Sequence, residues 1–270
     1  MGDVIACANQ KGGVGKTTTV VNLAAYLALE GRRVLVIDLD PQGNATSGLG
    51  FDRHAPHSSI YPALVDDALV LDLIQPTLID NLTLVPSAAD LAGAEVELVA
   101  LSGRERRLAA ALEPARASFD HVLLDCPPAV GLLTINAFTA ADAVIVPIQC
   151  EYYALEGLSQ LLATIALVRD HLNPRLALAG VLLTMFDPRT TLSADVLLEV
   201  RRHMGAAVFD NVVPRSVRLA EAPSHGRPVA RYSPESRGAK AYQELAREFI
   251  ARADSGAWRQ PMTELAAVGG

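Results

Sequence analysis

Lysine is nearly absent from this chain: three stand against twenty arginines in 270 residues. Aromatics make up only 5%, and the three cysteines, Cys7, Cys126 and Cys150, show no C-x-x-C spacing. An odd, scattered set of this kind argues against a disulfide framework and predicts buried thiols in a reducing compartment. No apolar run is long enough to span a bilayer. The start, Met1-Gly2-Asp3-Val4-Ile5, has no basic stretch ahead of an apolar one, so a secretory signal is not expected. Ala6 stands where a myristoylation pattern needs Ser or Thr. Together these absences predict a cytoplasmic chain. Half of the residues are apolar, enough for one large core. A single domain over 1–252 is expected, with 253–270 a flexible C-terminal tail.

Net charge is −7, which by itself disfavours a polyanionic partner, but the charge is uneven. Residues 1–184 carry 11 basic against 20 acidic groups. Residues 201–240 reverse the balance, with eight basic groups against Asp210, Glu221 and Glu235. A basic face on an acidic body can still hold a polyanion, because fields decay within about 8–10 Å at physiological salt.

Short runs rich in Val, Ile and Leu recur at Val4–Ala8, Val34–Asp38, His121–Asp125, Ala143–Pro147, Leu178–Thr184 and Val208–Val213. They lack polar alternation, as strands covered on both faces do. Helical stretches lie between them at Thr17–Glu30, Leu132–Ala140, Ala154–His171, Leu192–Met204 and Arg237–Arg252. Strand–helix alternation from end to end predicts an α/β fold: a doubly wound, mostly parallel sheet with helices on both faces. The stretch 52–103 carries no clear pattern.

Two of the three lysines fall in Lys11-Gly12-Gly13-Val14-Gly15-Lys16-Thr17-Thr18, between the first strand and the first helix. Glycines let backbone N–H groups turn toward a phosphate, and a helix N-terminus adds positive potential. Lys16 is placed to reach phosphate oxygens and Thr17 to offer a hydroxyl to Mg²⁺. The plain alternative is a glycine-rich turn with no ligand. After the second strand, Asp38-Leu39-Asp40-Pro41-Gln42-Gly43-Asn44 puts two carboxylates on one side of the chain at the carboxyl edge, where α/β ligands bind. One could orient an attacking water; a strand-ending turn is the alternative. Four residues lead into Asp125 at the end of the third strand, the Walker B arrangement, in which it would hold Mg²⁺ through water. The alternative is an Asp capping the next helix. Cys126 beside it has no second suitably placed cysteine for a cluster and reads as a packed thiol.

Lys11 resembles the signature lysine of the deviant Walker A ATPases, the ParA/MinD class of P-loop NTPases. Asp38–Asn44 resembles the D-x-D-P-Q-G-N motif of ParA proteins. Leu183–Thr190 and Val213–Gly226, with its Glu-Ala-Pro-Ser-His-Gly run, also resemble ParA segments. The likeness runs from residue 2 to about 250, and is to short, Soj-like partition ATPases. It implies a Mg²⁺-dependent ATPase that closes as an ATP-bound homodimer, with Lys11 reaching the partner's nucleotide. Asp40 would be the hydrolytic residue and a second candidate for a water-mediated metal contact. Met185 and the loop at Pro214 would line the adenine site. Arg189 and Arg218 would lie on a face that binds double-stranded DNA without sequence choice, at the nucleoid; surface ion pairing is the plain alternative for them. A ParB-like centromere-binding partner would stimulate hydrolysis in chromosome or plasmid segregation. A first strand at residue 3 or 4 leaves no room for an N-terminal helix-turn-helix, so operator recognition is not expected. The rival is a MinD-like membrane-cycling ATPase. It requires a basic amphipathic C-terminal anchor, and the Gly- and Pro-broken tail predicts no stable membrane association.

Overall fold

The computed structural model describes residues 2–53, 59–151 and 154–259. Its strands are β1 (Asp3–Cys7), β2 (Val34–Asp38), β3 (Gln75–Pro76), β4 (Leu82–Val85), β5 (His121–Asp125), β6 (Ala143–Gln149) and β7 (Ala177–Thr184). The helices are α1 (Lys16–Leu29), α2 (Asn44–Gly48), α3 (Tyr61–Val65), α4 (Leu91–Leu98), α5 (Arg107–Leu112), α6 (Leu132–Ala140), α7 (Ala154–His171), α8 (Thr191–Met204), α9 (Val217–Glu221), α10 (Val229–Tyr232) and α11 (Arg237–Ser255). The sheet runs β3-β4-β2-β5-β1-β6-β7, parallel except for the edge strand β3.

Side chains alternate across each strand, so a strand buried on both faces feeds two cores. Ile5 and Cys7 point to the layer holding α1 and α11, with Leu23, Leu27, Tyr242 and Phe249. Val4 and Ala6 point to the opposite layer, with Leu98, Leu112, Phe138 and Ile165. This is the doubly wound sandwich expected from the alternation of elements.

Register decides the position of the site. Asp38 on β2 lies opposite Asp125 on β5, and Cys7 on β1 lies opposite the same Asp125. The carboxyl ends of three central strands are therefore level. The glycine loop, the Asp38–Asp40 segment and Asp125 all emerge at one edge.

Two expectations are corrected, and one unread stretch is resolved. The run Val208–Val213 forms no ladder strand; it touches the sheet through a bridge between Val208 and Val181, followed by one between Pro214 and Phe186. Phe209 N and Val213 N do donate to Val181 O (3.0 Å) and Leu183 O (2.9 Å) of β7, but the Glu248 carboxylate on α11 accepts from Asp210 N (2.8 Å) and Asn211 N (3.0 Å), which interrupts the ladder at Asn211. The patternless stretch 52–103 contains β3 and β4, too short for alternation to show. At the other end, α11 runs past Arg252 to Ser255, and Trp258 is buried against Phe249 with ring centroids 5.1 Å apart. Residues 253–259 therefore pack onto the domain, because one indole buries enough apolar area to hold them. The rest of the expected tail, 260–270, lies outside the described residues. Among the described residues no helix is long and apolar enough to cross a membrane.

Candidate nucleotide site and basic segment

The loop between β1 and α1 depends on two left-handed glycines, Gly13 (φ 74°) and Gly15 (φ 93°), a conformation L side chains avoid. A Cβ added to Gly12 or Gly13 would meet nothing within 4 Å, so the loop lines open space. Its base is tied down. Asn9 Nδ2 donates to Pro147 O (2.7 Å), and Lys11 N donates to Asn9 Oδ1 (2.9 Å). Thr184 Oγ1, at the end of β7, donates to Val14 O (2.8 Å) or Ile148 O (3.0 Å). A cradle fixed at both ends needs little reorganisation to receive an anion.

Lys16 is only 6% exposed, and its Nζ donates to Lys11 O at 3.2 Å. No ion pair with a carboxylate engages it among the described residues. Lys11 differs: it is exposed and pairs with Glu151 of its own chain, 140 residues away. The two lysines of one loop thus stand in opposite surroundings.

Asp38, Asp40 and Asp125 are 0%, 6% and 0% exposed. Asp38 accepts from Asp40 N (3.1 Å), Thr46 N (2.8 Å) and Thr46 Oγ1 (2.7 Å). Burial nevertheless pushes it up to about 6, against the pull of those bonds. Asp40 Oδ1 accepts from Gln42 N (3.0 Å), so the turn expected after β2 is present around the candidate residue itself. Asp125 caps nothing. The helix after it, α6, begins at Leu132 with no side-chain cap, and neither Asp125 oxygen has a hydrogen-bond partner among the described residues. Burial, then the Asp38 and Asp40 charges, drive it well above the carboxylate range, while Thr17 and Lys16 pull the other way. Three buried acids beside one buried ammonium cannot all ionise without further positive charge, which a cation bound there would supply.

That test favours Mg²⁺ over a metal held by protein alone. Among the described residues no group of three or more His, Cys, Asp or Glu is arranged to hold an ion. Mg²⁺ keeps several waters and completes its shell from phosphate, needing one or two protein groups. Cys126 is buried, and its thiol is pushed upward first by burial and then by Asp125.

Two clefts flank the start of α1. One, of about 330 Å³, lies between Gly15, Thr18 and the segment Met185, Pro214, Ser216 and Leu219, over Tyr242. Met185 itself has φ 52°, unusual for a side-chain-bearing residue, where the chain leaves β7. The other, of about 690 Å³, runs from Thr17 past Asn44 and Ser47 to Pro223 and Ser224. The smaller has the apolar lining that suits a planar base; the larger is walled by more polar groups.

Arg189 (86% exposed) and Arg218 (56%) are both ion-paired. Arg189 Nε and Nη2 donate to the two oxygens of Asp187 at 2.9 and 2.7 Å. Arg218 Nη1 donates to Glu221 Oε2 at 2.8 Å, which also accepts from Tyr232 OH at 3.1 Å.

Sequence reading missed Glu151, Thr46 and Thr184. Thr46 lies eight residues after Asp38, at the start of α2, and could have been sought as a hydroxyl facing a buried acid. Glu151 and Thr184 carry no local signal.

A level strand edge, a two-lysine glycine loop and a buried acid at the end of a central strand define a P-loop NTPase of the ParA/MinD class. The family model described as an AAA domain matches residues 2–178. The chain is 56% identical over 251 residues to sporulation initiation inhibitor protein Soj of Bacillus subtilis, covering 93% of this chain and 99% of that one. It is 52% identical over 252 residues to chromosome partitioning protein ParA of Myxococcus xanthus, covering 93% and 89%. Among solved structures, cobyrinic acid a,c-diamide synthase of Mycobacterium smegmatis, with bound ATP analog and magnesium, superposes with a TM-score of 0.84 at 41% identity, covering 97% of this chain and 100% of that one. The chain belongs to the ParA/Soj family of chromosome-partitioning ATPases.

Proposed function

We propose that the chain is an ATP-dependent dimerising switch. It binds ATP with Mg²⁺, closes as a homodimer and in that state holds double-stranded DNA without sequence choice. A ParB-like centromere-binding protein stimulates hydrolysis, and the cycle serves chromosome or plasmid segregation in the cytoplasm, at the nucleoid. The observation that carries this reading is the meeting, at one sheet edge, of an open glycine loop with a buried lysine that has no carboxylate partner and a buried acid that has no hydrogen-bond partner among the described residues. The partition relatives support the biological setting. The solved neighbour holding an ATP analog and magnesium supports the ligand pair.

The residues divide the work as follows. Lys16 exchanges the Lys11 carbonyl for phosphate oxygens, and the N–H groups of Gly12–Thr18 cradle them. Thr17, and Asp125 through water, would hold Mg²⁺, with Asp40 a further water-mediated contact; bound there, the ion neutralises charge on the phosphate oxygens. Asp40 orients the attacking water and accepts its proton. Met185 and Pro214 hold the base in the smaller cleft. Lys11 leaves Glu151 and reaches the partner's phosphates, as an arginine finger does in trans. Arg189 and Arg218 meet DNA phosphates, so affinity falls steeply with salt.

Sizing and duplex-retardation measurements on wild type and Asp40→Ala, each with ADP and with ATP, test the reading. ATP alone should give a dimer that retards unrelated duplexes equally, and Asp40→Ala should persist in that state. ATP-dependent flotation with anionic vesicles, without duplex binding, would shift the reading to a MinD-like membrane cycle.

A further inference from the structure

The exposed arginines between residues 187 and 237 differ in their partners: Arg201 donates to Asp210 O and Arg202 pairs with Glu199. Arg189 and Arg218 are each bound by a carboxylate a few residues away. No hydrogen bond or ion pair engages the guanidinium of Arg215, Arg227, Arg231 or Arg237 among the described residues. The pairing at Arg189 is bidentate: Asp187 presents two oxygens to Nε and Nη2 at 2.9 and 2.7 Å, and its Oδ1 also accepts from Arg189 N at 3.1 Å. That two-oxygen fork is the arrangement a phosphate uses on an arginine. At Arg218, Glu221 Oε2 takes Nη1, and the Tyr232 hydroxyl holds the same oxygen from the other side. Tyr232 in turn stacks on His225, with ring centroids 4.7 Å apart.

We infer that Asp187 and Glu221 are built-in competitors of DNA phosphate: each occupies the donor edge of the arginine it faces and so holds down the affinity of the basic face. The inference rests on the DNA-binding reading above and adds the residues that limit it. Three points support it. Both carboxylates are held by a group other than the arginine side chain: Asp187 Oδ1 accepts from the backbone N–H of Arg189 (3.1 Å), and Glu221 Oε2 accepts from Tyr232 OH (3.1 Å). Both remain ionised across the working range, since the Arg189 guanidinium holds Asp187 down at about 2 and Arg218 draws Glu221 downward. Ion pairs at the surface are also weak enough to exchange, so a polyanion can displace them without unfolding anything. A protein that must let go of DNA gains from such a ceiling on its grip.

The test is duplex affinity with ATP at several salt concentrations, for Asp187→Asn and Glu221→Gln, alone and combined with Arg189→Ala or Arg218→Ala respectively. These near-isosteric changes keep the local fold, and thermal melts with ATP titrations check that they do. Removing either carboxylate should raise affinity roughly two- to five-fold at moderate salt. The gain should disappear when the facing arginine is absent, because there is then nothing to unmask. Unchanged or weaker binding would overturn the inference and make these carboxylates positioning groups for the arginines. An equal gain without the arginine would also overturn it, assigning the effect to net charge alone. If no form of the chain binds duplex with ATP, the DNA reading itself falls, and this inference with it.

Discussion

Beneath the glycine loop, three acids and a lysine are almost wholly withdrawn from water, and one acid, Asp125, has no hydrogen-bond partner among the described residues. Across residues 187–237 the arginines are exposed, and those expected to matter most already have carboxylate partners. The contrast separates two ways of keeping a charge ready for a ligand. A buried charge without a partner is unfavourable until the ligand arrives, which couples binding tightly to the order of the site. An exposed charge with a weak partner is nearly neutral in energy and trades one partner for another, which suits reversible and salt-sensitive attachment. Lys16 and Lys11 reproduce this division within a single loop, one on a backbone carbonyl in the interior and the other on Glu151 at the surface.

The comparison can be broken most severely at the buried end. Asp40→Ala should lower the rate of phosphate release by roughly 10²–10⁴-fold, the usual contribution of a positioned base, while ATP-dependent dimerisation survives. Unchanged turnover would remove Asp40 from the chemistry. Lys16→Ala should weaken ATP binding by about 100-fold or more in a calorimetric titration, as losing one partner of a buried charged contact costs about 3–5 kcal/mol. Affinity within a few-fold of wild type would mean that the loop does not hold phosphate.

Proton linkage sharpens the same contrast. Asp38 is raised in the folded chain to about 6, and Asp125 is raised as well. A carboxyl raised on folding contributes stability that is complete below its unfolded value, near 3.8, and is lost as pH rises through the folded one. For Asp38 that window is about pH 4 to 6, worth about 3 kcal/mol as an order of magnitude. The ligand-free chain should therefore be more resistant to urea at pH 5 than at pH 7.5. Asp38→Asn should flatten the difference, and a flat wild-type profile would contradict the burial argument. Asp187, held at about 2, contributes in the opposite sense and only in much stronger acid. The smallest effect is expected at the exposed end. Glu151→Gln frees Lys11 from a surface pair, so the ATP concentration needed for half-dimerisation should fall by about two- to five-fold in light scattering. A larger change would show that the Lys11–Glu151 pair acts as a firm latch.

Much of this was legible beforehand, for identifiable reasons. β2 and β5 were read with their bounds, because strands buried on both faces need continuous apolar runs. The cradle was legible because Gly13 and Gly15 must take left-handed backbone and Lys16 must follow directly. Val208–Val213 misled because its apolar pattern is that of a strand, while Glu248, far along the chain, takes the Asn211 N–H that a ladder requires. Trp258 was passed over because Gly256 before it resembles the start of a tail, although it is the left-handed stop of α11.

The sequence by itself determined what local chemistry can dictate: where strands and helices begin, which loop can wrap a phosphate, and which acids end strands. Only the tertiary structure decided that Cys7, Asp38 and Asp125 end level, that Asp125 has no hydrogen-bond partner among the described residues, and that Lys11 rests on Glu151 while Arg189 and Arg218 rest on acids of their own. Residue spacing fixes side-chain direction within one element, whereas the partner of a charge depends on strand register and on packing between segments distant in the chain. In this chain that choice separates Lys16, held in the interior, from Lys11, five residues before it, which rests on a surface acid.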